Sequence, residues 1–161
     1  VAILLTSNGP VIYWSKRIGK NNKIFKMPKF RSMLIHTPEV ATHLLNNPDT
    51  HLTPIGSFLR SSSLDELPQL ISVIKGDMSF VGPRPALHNQ EDLIIERTEI
   101  GVDKLMPGVT GWAQVNGRDE LSIPEKISLD HEYLKHMSFL FDIKILWMTF
   151  LKVVRRDDVN H

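Results

Sequence analysis

The chain contains no cysteine, which excludes disulfides, thiolate metal sites and cysteine nucleophiles. It also lacks an uninterrupted apolar run of the roughly 18 residues that a membrane-spanning helix needs. No Gly-x-Gly-x-x-Gly, no Walker-type phosphate loop and no Gly-x-Ser-x-Gly elbow is present, so the commonest nucleotide-binding and hydrolase signatures are missing. Aromatic residues make up only 7%, a thin supply of the stacking platforms that single-stranded nucleic acid uses. The histidines show no paired metal spacing, and His131 and His136 do not align on a helix face.

What is present is a globular composition. At 161 residues, 42% hydrophobic and 23% charged, the chain suits one domain with a real core and is short for two. The expected unit is therefore residues 1–161, of α/β (α+β) class. A net charge of +1 conceals an uneven layout. From Lys16 to Arg31 stand Lys16, Arg17, Lys20, Lys23, Lys26, Lys29 and Arg31 with no acid among them. Such a run attracts phosphate, anionic lipid or nucleic acid, though it can equally be a solvated face.

Turn and strand signals place this run on a basic β-hairpin. Ser7-Asn8-Gly9-Pro10 is a turn, Val11 to Trp14 has strand composition, and Gly19-Lys20-Asn21-Asn22 leads into a second strand at Ile24 to Met27. Thr37-Pro38 opens a predicted helix that runs to about Asn46. A capping box at Ser122-Ile123-Pro124-Glu125 opens another, to about His136. The last helix is expected from about Ser138 to Arg156. It is mostly apolar with Lys144, Lys152, Arg155 and Arg156 embedded, a pattern that suits a lipid headgroup layer or a buried core position.

The most informative segment is Ser63-Leu64-Asp65-Glu66-Leu67-Pro68-Gln69. Ser63 and Glu66 fit a capping box, and Leu64, Leu67, Leu70, Ile71 and Ile74 follow helical spacing up to Lys75-Gly76. Pro68 sits awkwardly for a helix that starts at Ser63, so the alternative is a helix that starts at Pro68. Either version puts two adjacent carboxylates at a helix N-terminus. Neighbours point in different directions and suit two tasks, such as a nucleophile beside a metal ligand. By itself the pair could equally be first-turn acids that suit the helix dipole. Arg60 lies just upstream, and Arg84 is fenced between Pro83 and Pro85. An arginine held that way presents its fork of donors at low ordering cost, or else pairs with a buried acid. The glycines of Gly82-Pro83-Arg84-Pro85 and Pro107-Gly108-Val109-Thr110-Gly111 read as turns.

Taken in order, several blocks carry a family resemblance. They are Lys29-Phe30-Arg31-Ser32-Met33, Leu59-Arg60 with Ser63 to Gln69, Lys75-Gly76-Asp77-Met78-Ser79, Val81 to Pro85, and Pro107 to Arg118, followed by Asp130-His131-Glu132-Tyr133 and Ser138 to Asp142. Together they closely resemble the bacterial sugar transferases, specifically the small, monotopic polyprenyl-phosphate phosphoglycosyl transferases. The resemblance spans nearly the whole chain. The family's N-terminal membrane helix is expected to survive only as Val1 to Leu5.

The resemblance implies a two-step exchange. The carboxylate of Asp65 would attack the sugar-linked phosphorus of a UDP-sugar, release UMP and then pass the phosphosugar to polyprenyl (undecaprenyl) phosphate. Asp65 and Glu66 would be catalytic, with Glu66 the ligand of a Mg²⁺ ion. Substrate contacts would fall to Lys29, Arg31, Arg60, Arg84, Gln114, Arg118 and Asp142. The expected partners are a UDP-sugar donor, a polyprenyl phosphate acceptor and a lipid surface at the cytoplasmic face of the bacterial inner membrane, with no nucleic acid. Two other classes remain open at this point. One is a module that binds anionic lipid or nucleic acid without chemistry, and the other a metal-dependent phosphohydrolase.

Overall fold

Alternation of side chains along two strands explains the first element. In the computed structural model, which describes residues 2–38, 47–117 and 120–155, a short helix α1 (Ala2–Thr6) precedes strands β1 (Ile12–Ile18) and β2 (Ile24–Phe30). The strands form an antiparallel hairpin in which Ser15 opposes Met27 and Lys16 opposes Lys26. Ser15 and Met27 are buried, and so lie on the inner face. By the two-residue period of a strand, Lys29 shares that inner face with Met27, while Lys16 and Lys26 are exposed on the outer one. The basic hairpin is therefore real, and its cations divide into two populations. The tight connection uses Asn21 and Asn22 at positive φ (54° and 57°), a region that asparagine tolerates better than most residues.

The helix expected between Thr37 and Asn46 falls outside the described residues. After a 3₁₀ turn at Pro48–His51 come α2 (Gly56–Ser61) and α3 (Gln69–Lys75), the latter ended by Gly76 at φ 80°. Strands β3 (Ser79–Val81) and β4 (Gly108–Thr110) pair in parallel, Ser79 opposite Gly108 and Val81 opposite Thr110. The chain between them includes α4 (Glu91–Glu99). A single turn of helix, α5 (Trp112–Val115), leads to α6 (Ile123–His136) and α7 (Phe139–Arg155). The capping box that opens α6 forms as expected, with the Ser122 amide donating to Glu125 Oε2 at 2.8 Å.

The main core lies where α5, α6 and α7 cover the parallel strand pair. Val81, Val115, Tyr133 and Ile145 are buried there, with Leu105, Trp112, Phe141 and Met148 packed around them. Enclosing Ile145 completely (0% exposed) contributes about 1.5–3 kcal/mol of hydrophobic stabilisation. The small sheets serve chiefly to aim loops. Backbones at the ends of β3 and β4 touch so closely that only glycine fits. A Cβ on Gly82 would run into the Met106 carbonyl oxygen, and one on Gly111 into the Gly82 carbonyl oxygen. Those glycines, which read as turns from sequence, are close backbone contacts that lock two loops together.

Candidate active site

Asp65 and Glu66 lie on a 3₁₀ turn, Leu64–Glu66, that follows Ser63 in the left-handed conformation (φ 54°). The Ser63–Glu66 capping box therefore does not form, since an N-cap residue is normally extended. The α-helix begins only after Pro68, the later of the two starts that the sequence allowed. Proline has no N–H and its ring clashes with the carbonyl four residues back, so a regular helix cannot run through it from Leu64. The two acids thus stand ahead of α3 and outside its first turn. Burial and neighbouring charged side chains shape the electrostatics of Asp65.

Successive residues on a 3₁₀ turn point about 120° apart. Leu64 and Leu67 face outward, while Asp65 is only 7% exposed. The turn packs against β2 and α2, which is how Lys29 and Arg60 reach it. Lys29 Nζ donates to Glu66 Oε1 at 2.9 Å, and Arg84 Nη2 donates to the same oxygen at 3.1 Å. Both cations thus bond to Glu66 and act on Asp65 through space, joined by Arg60. Burial pushes the Asp65 carboxyl above the usual aspartate range, and Lys29 opposes that push, as do Arg60 and Arg84, while the Glu66 charge adds to it. Burial likewise pulls the Lys29 ammonium below its ordinary value, against the pull of Glu66. Three cations around two carboxylates leave a surplus of positive charge, the electrostatic requirement for holding a phosphate.

The loop that presents Arg84 is held from several sides. Pro83 O accepts from the Gly108 amide at 3.0 Å, and Arg84 O from Arg97 Nη1 at 2.8 Å. Pro85 O accepts from Arg17 Nη1 at 3.1 Å, and Ala86 O from the Ile18 amide at 3.0 Å. Arg97 also donates through Nε and Nη2 to Asp130 Oδ2, and Asp130 is 1% exposed. Burial raises the Asp130 carboxyl pKa, and the Arg97 charge opposes that shift.

Of the residues expected at the site, the structure brings together Lys29, Arg60, Asp65, Glu66 and Arg84. Arg31 is elsewhere: its buried guanidinium donates to the carbonyls of Ser7, Asn8 and Pro10 and ties the start of the chain to the hairpin. Asp142, on α7, accepts from Tyr133 Oη at 2.8 Å. That bond, after burial, keeps the phenol pKa raised. Gln114 Nε2 donates to Val109 O at 2.9 Å, and its Oε1 is buried without a partner among the described residues. Arg118 lies outside the described residues. The loop-holding pair Arg97 and Asp130, with Arg17, was not visible as such in the sequence. A helical arginine and a carboxylate far along the chain give no local sign that they will meet.

Comparison with known proteins identifies the family. The model of the family described as bacterial sugar transferase matches residues 1–156. A UDP-glucose:undecaprenyl-phosphate glucose-1-phosphate transferase of Escherichia coli is 43% identical, over 94% of this chain and 34% of the relative. An undecaprenyl-phosphate galactose phosphotransferase of Salmonella typhimurium is 40% identical, over 92% of this chain and 34% of the relative. The uncharacterized sugar transferase EpsL of Bacillus subtilis is also 40% identical, over 98% of this chain and 77% of the relative. The chain thus spans about a third of the length of the first two relatives (34% of each). With its carboxylate turn, its proline-fenced arginine and a family match over nearly its whole length, this chain belongs to the bacterial sugar transferases.

Proposed function

We propose that this chain is the catalytic unit of an enzyme that moves a sugar 1-phosphate from a UDP-sugar to polyprenyl phosphate through a covalent intermediate on Asp65. The observation that carries this reading is the convergence of Lys29 and Arg84 on Glu66 Oε1 beside the buried carboxylate of Asp65. Glu66 accepts from both cations and leaves Asp65 as the carboxylate available to attack. The names of the E. coli and Salmonella relatives supply the acceptor class and make glucose and galactose the first donor sugars to test.

In the first step an Asp65 oxygen forms a bond to the sugar-linked phosphorus as the bond to the UMP oxygen breaks, so UMP leaves with the electron pair. In the second, an oxygen of the polyprenyl phosphate attacks that phosphorus and expels the Asp65 carboxylate. Phosphoryl transfer of this kind depends chiefly on positioning and charge neutralisation. Arg84, Arg60 and Lys29 would hold and neutralise the donor diphosphate. Mg²⁺ fits the donor set only in part. The described residues hold no group of three or more His, Asp or Glu side chains suited to a metal, but Mg²⁺ commonly takes one or two carboxylates and completes its shell with water and substrate phosphate. Glu66 would hold the ion, which when bound would neutralise charge on the donor phosphates.

A lipid surface is supported by α7. Ile145 on one side of it is buried, yet Phe139, Leu140, Ile143, Trp147, Phe150 and Val154 are exposed at helical spacing. A helix apolar on two sides with one side uncovered marks an interface. No helix among the described residues is long and apolar enough to cross a membrane, so we infer that α7 lies in the headgroup layer. Lys144 is exposed on α7, and its ammonium sits 5.0 Å from the Trp112 ring centroid. The side chain of Arg155 and the whole of Arg156 fall outside the described residues.

The decisive experiment incubates the full-length protein with UDP-glucose or UDP-galactose and Mg²⁺, with and without polyprenyl phosphate. UMP release without acceptor, and a phosphosugar adduct on the peptide containing Asp65, are the expected results. Sugar phosphate released to water at the full rate without lipid would make the protein a hydrolase. Turnover untouched by EDTA would remove the metal from Glu66.

A further inference from the structure

The loop from Gly82 to Ala86 is unusual in how it can be held. Pro83 and Pro85 have no N–H, so between the Gly82 and Ala86 amides only Arg84 carries a backbone donor. The loop's remaining handles are its carbonyls, and each of the four from Pro83 to Ala86 is taken by a different donor: Gly108 N, Arg97 Nη1, Arg17 Nη1 and Ile18 N. Two of these donors are guanidinium groups. Arg97 is only 9% exposed, and its Nε and Nη2 already satisfy Asp130. A lysine could pair with that acid. What requires the guanidinium fork is the third bond, to the main chain of the residue whose own side chain reaches Glu66.

We propose that Arg97 is a positioning residue for the reaction. It fixes the main chain of Arg84 so that the Arg84 side chain meets the carboxylate turn in one geometry, with Arg17 acting in the same way one residue further on. This rests on the site reading given above, and it adds to that reading a residue on a different helix that touches neither acid. The physical reason is that a fork of donors on a flexible stem is useful in transfer only if its base does not move. Displacing it by about 1 Å can cost on the order of 10²-fold in rate.

The test is a double-mutant cycle in the full-length protein with two independent readouts. Arg97→Lys keeps a buried cation for Asp130 but loses the fork, and should lower kcat/KM by about tenfold to a hundredfold. Arg84→Lys keeps a cation at the site and gives the reference loss. If Arg97 acts through Arg84, the double variant should fall no more than about threefold below Arg84→Lys alone, because coupled residues do not add. Losses that simply multiply would overturn the proposal. The second readout is hydrogen exchange in peptides covering residues 82–88. It should quicken in Arg97→Lys while α6 stays protected, whether or not turnover is detected. Unchanged exchange there would overturn the proposal even in an active enzyme, whereas an inactive wild type with quickened exchange would count against the function alone. Should Arg97→Lys fail to fold, Arg17→Met, on the half-buried hairpin position, must show the same loop exchange and the same coupling to Arg84.

Discussion

Two clusters of charge meet the same loop, and they are built differently. On one side, Arg97 and Asp130 form a closed pair: one buried acid, one buried base, with the spare donor on a main-chain carbonyl. On the other, Lys29 and Arg84 converge on a single oxygen of Glu66, while Asp65 beside it receives their field. Arg84 belongs to both, by its carbonyl to the first and by its guanidinium to the second. A closed pair fixes geometry and has no charge to offer a ligand. An open cluster with excess positive charge has a reason to take up a phosphate, and that unbalanced charge leaves it poorly optimised for stability. Such tension is what a site, as opposed to a core, tends to show.

The largest effect expected from breaking the open cluster is on turnover. Asp65→Asn should reduce transfer on the order of 10⁴-fold or more, since the proposed nucleophile itself is removed. Stability should move the other way. A carboxyl whose pKa is raised on folding binds protons more tightly in the native state, so its ionised form is a burden that grows as pH rises through that interval. The Asn variant should therefore unfold at the same temperature as the wild type or a higher one, by calorimetry at neutral pH. A large drop in its midpoint would make Asp65 a structural acid.

Asp130→Ala should do the reverse. Removing one partner of a buried pair strands Arg97 and typically costs about 3–5 kcal/mol, readable as a shift in the urea midpoint. If Asp130→Ala and Asp65→Asn proved equally stable, the distinction between closed and open clusters would collapse. A smaller and sharper effect concerns pH. Under the proposed mechanism transfer requires ionised Asp65, so the acid limb of kcat/KM should lie above the ordinary aspartate range. Lys29→Met removes the cation that most strongly lowers that pKa and should shift the limb further upward; a shift downward would contradict the assigned electrostatics. The smallest effect lies far from both clusters. Ser122→Ala removes the α6 cap, and should cost about 1 kcal/mol of stability with transfer unchanged.

Several elements were legible because their signals are local. The hairpin, the α6 capping box and the start of α7 depend on turn chemistry, caps and periodicity within a few residues, and the structure places them where those signals do. The misplaced capping box at Ser63 is instructive for the same reason. Serine and glutamate three apart satisfy the motif, but Pro68 makes a continuous helix impossible, and the chain answers with a left-handed Ser63 and a separate 3₁₀ turn. The glycines at 82 and 111 read as turns because sequence cannot show that two distant backbones will touch.

The sequence alone determined which residue types could do chemistry here. It removed thiol chemistry by omission, set two carboxylates side by side, fenced Arg84 with prolines and put Lys29 in a basic run without acids. Tertiary structure decided which of these would meet. Arg31 and Lys29 are two residues apart, yet β2 ends between them: Lys29 reaches the carboxylate turn and Arg31 is enclosed by backbone carbonyls near the chain's start. Likewise only folding joined Arg97 to Asp130 and to the Arg84 carbonyl, since contact between distant parts of a chain depends on how helices pack, and no local pattern encodes that distance.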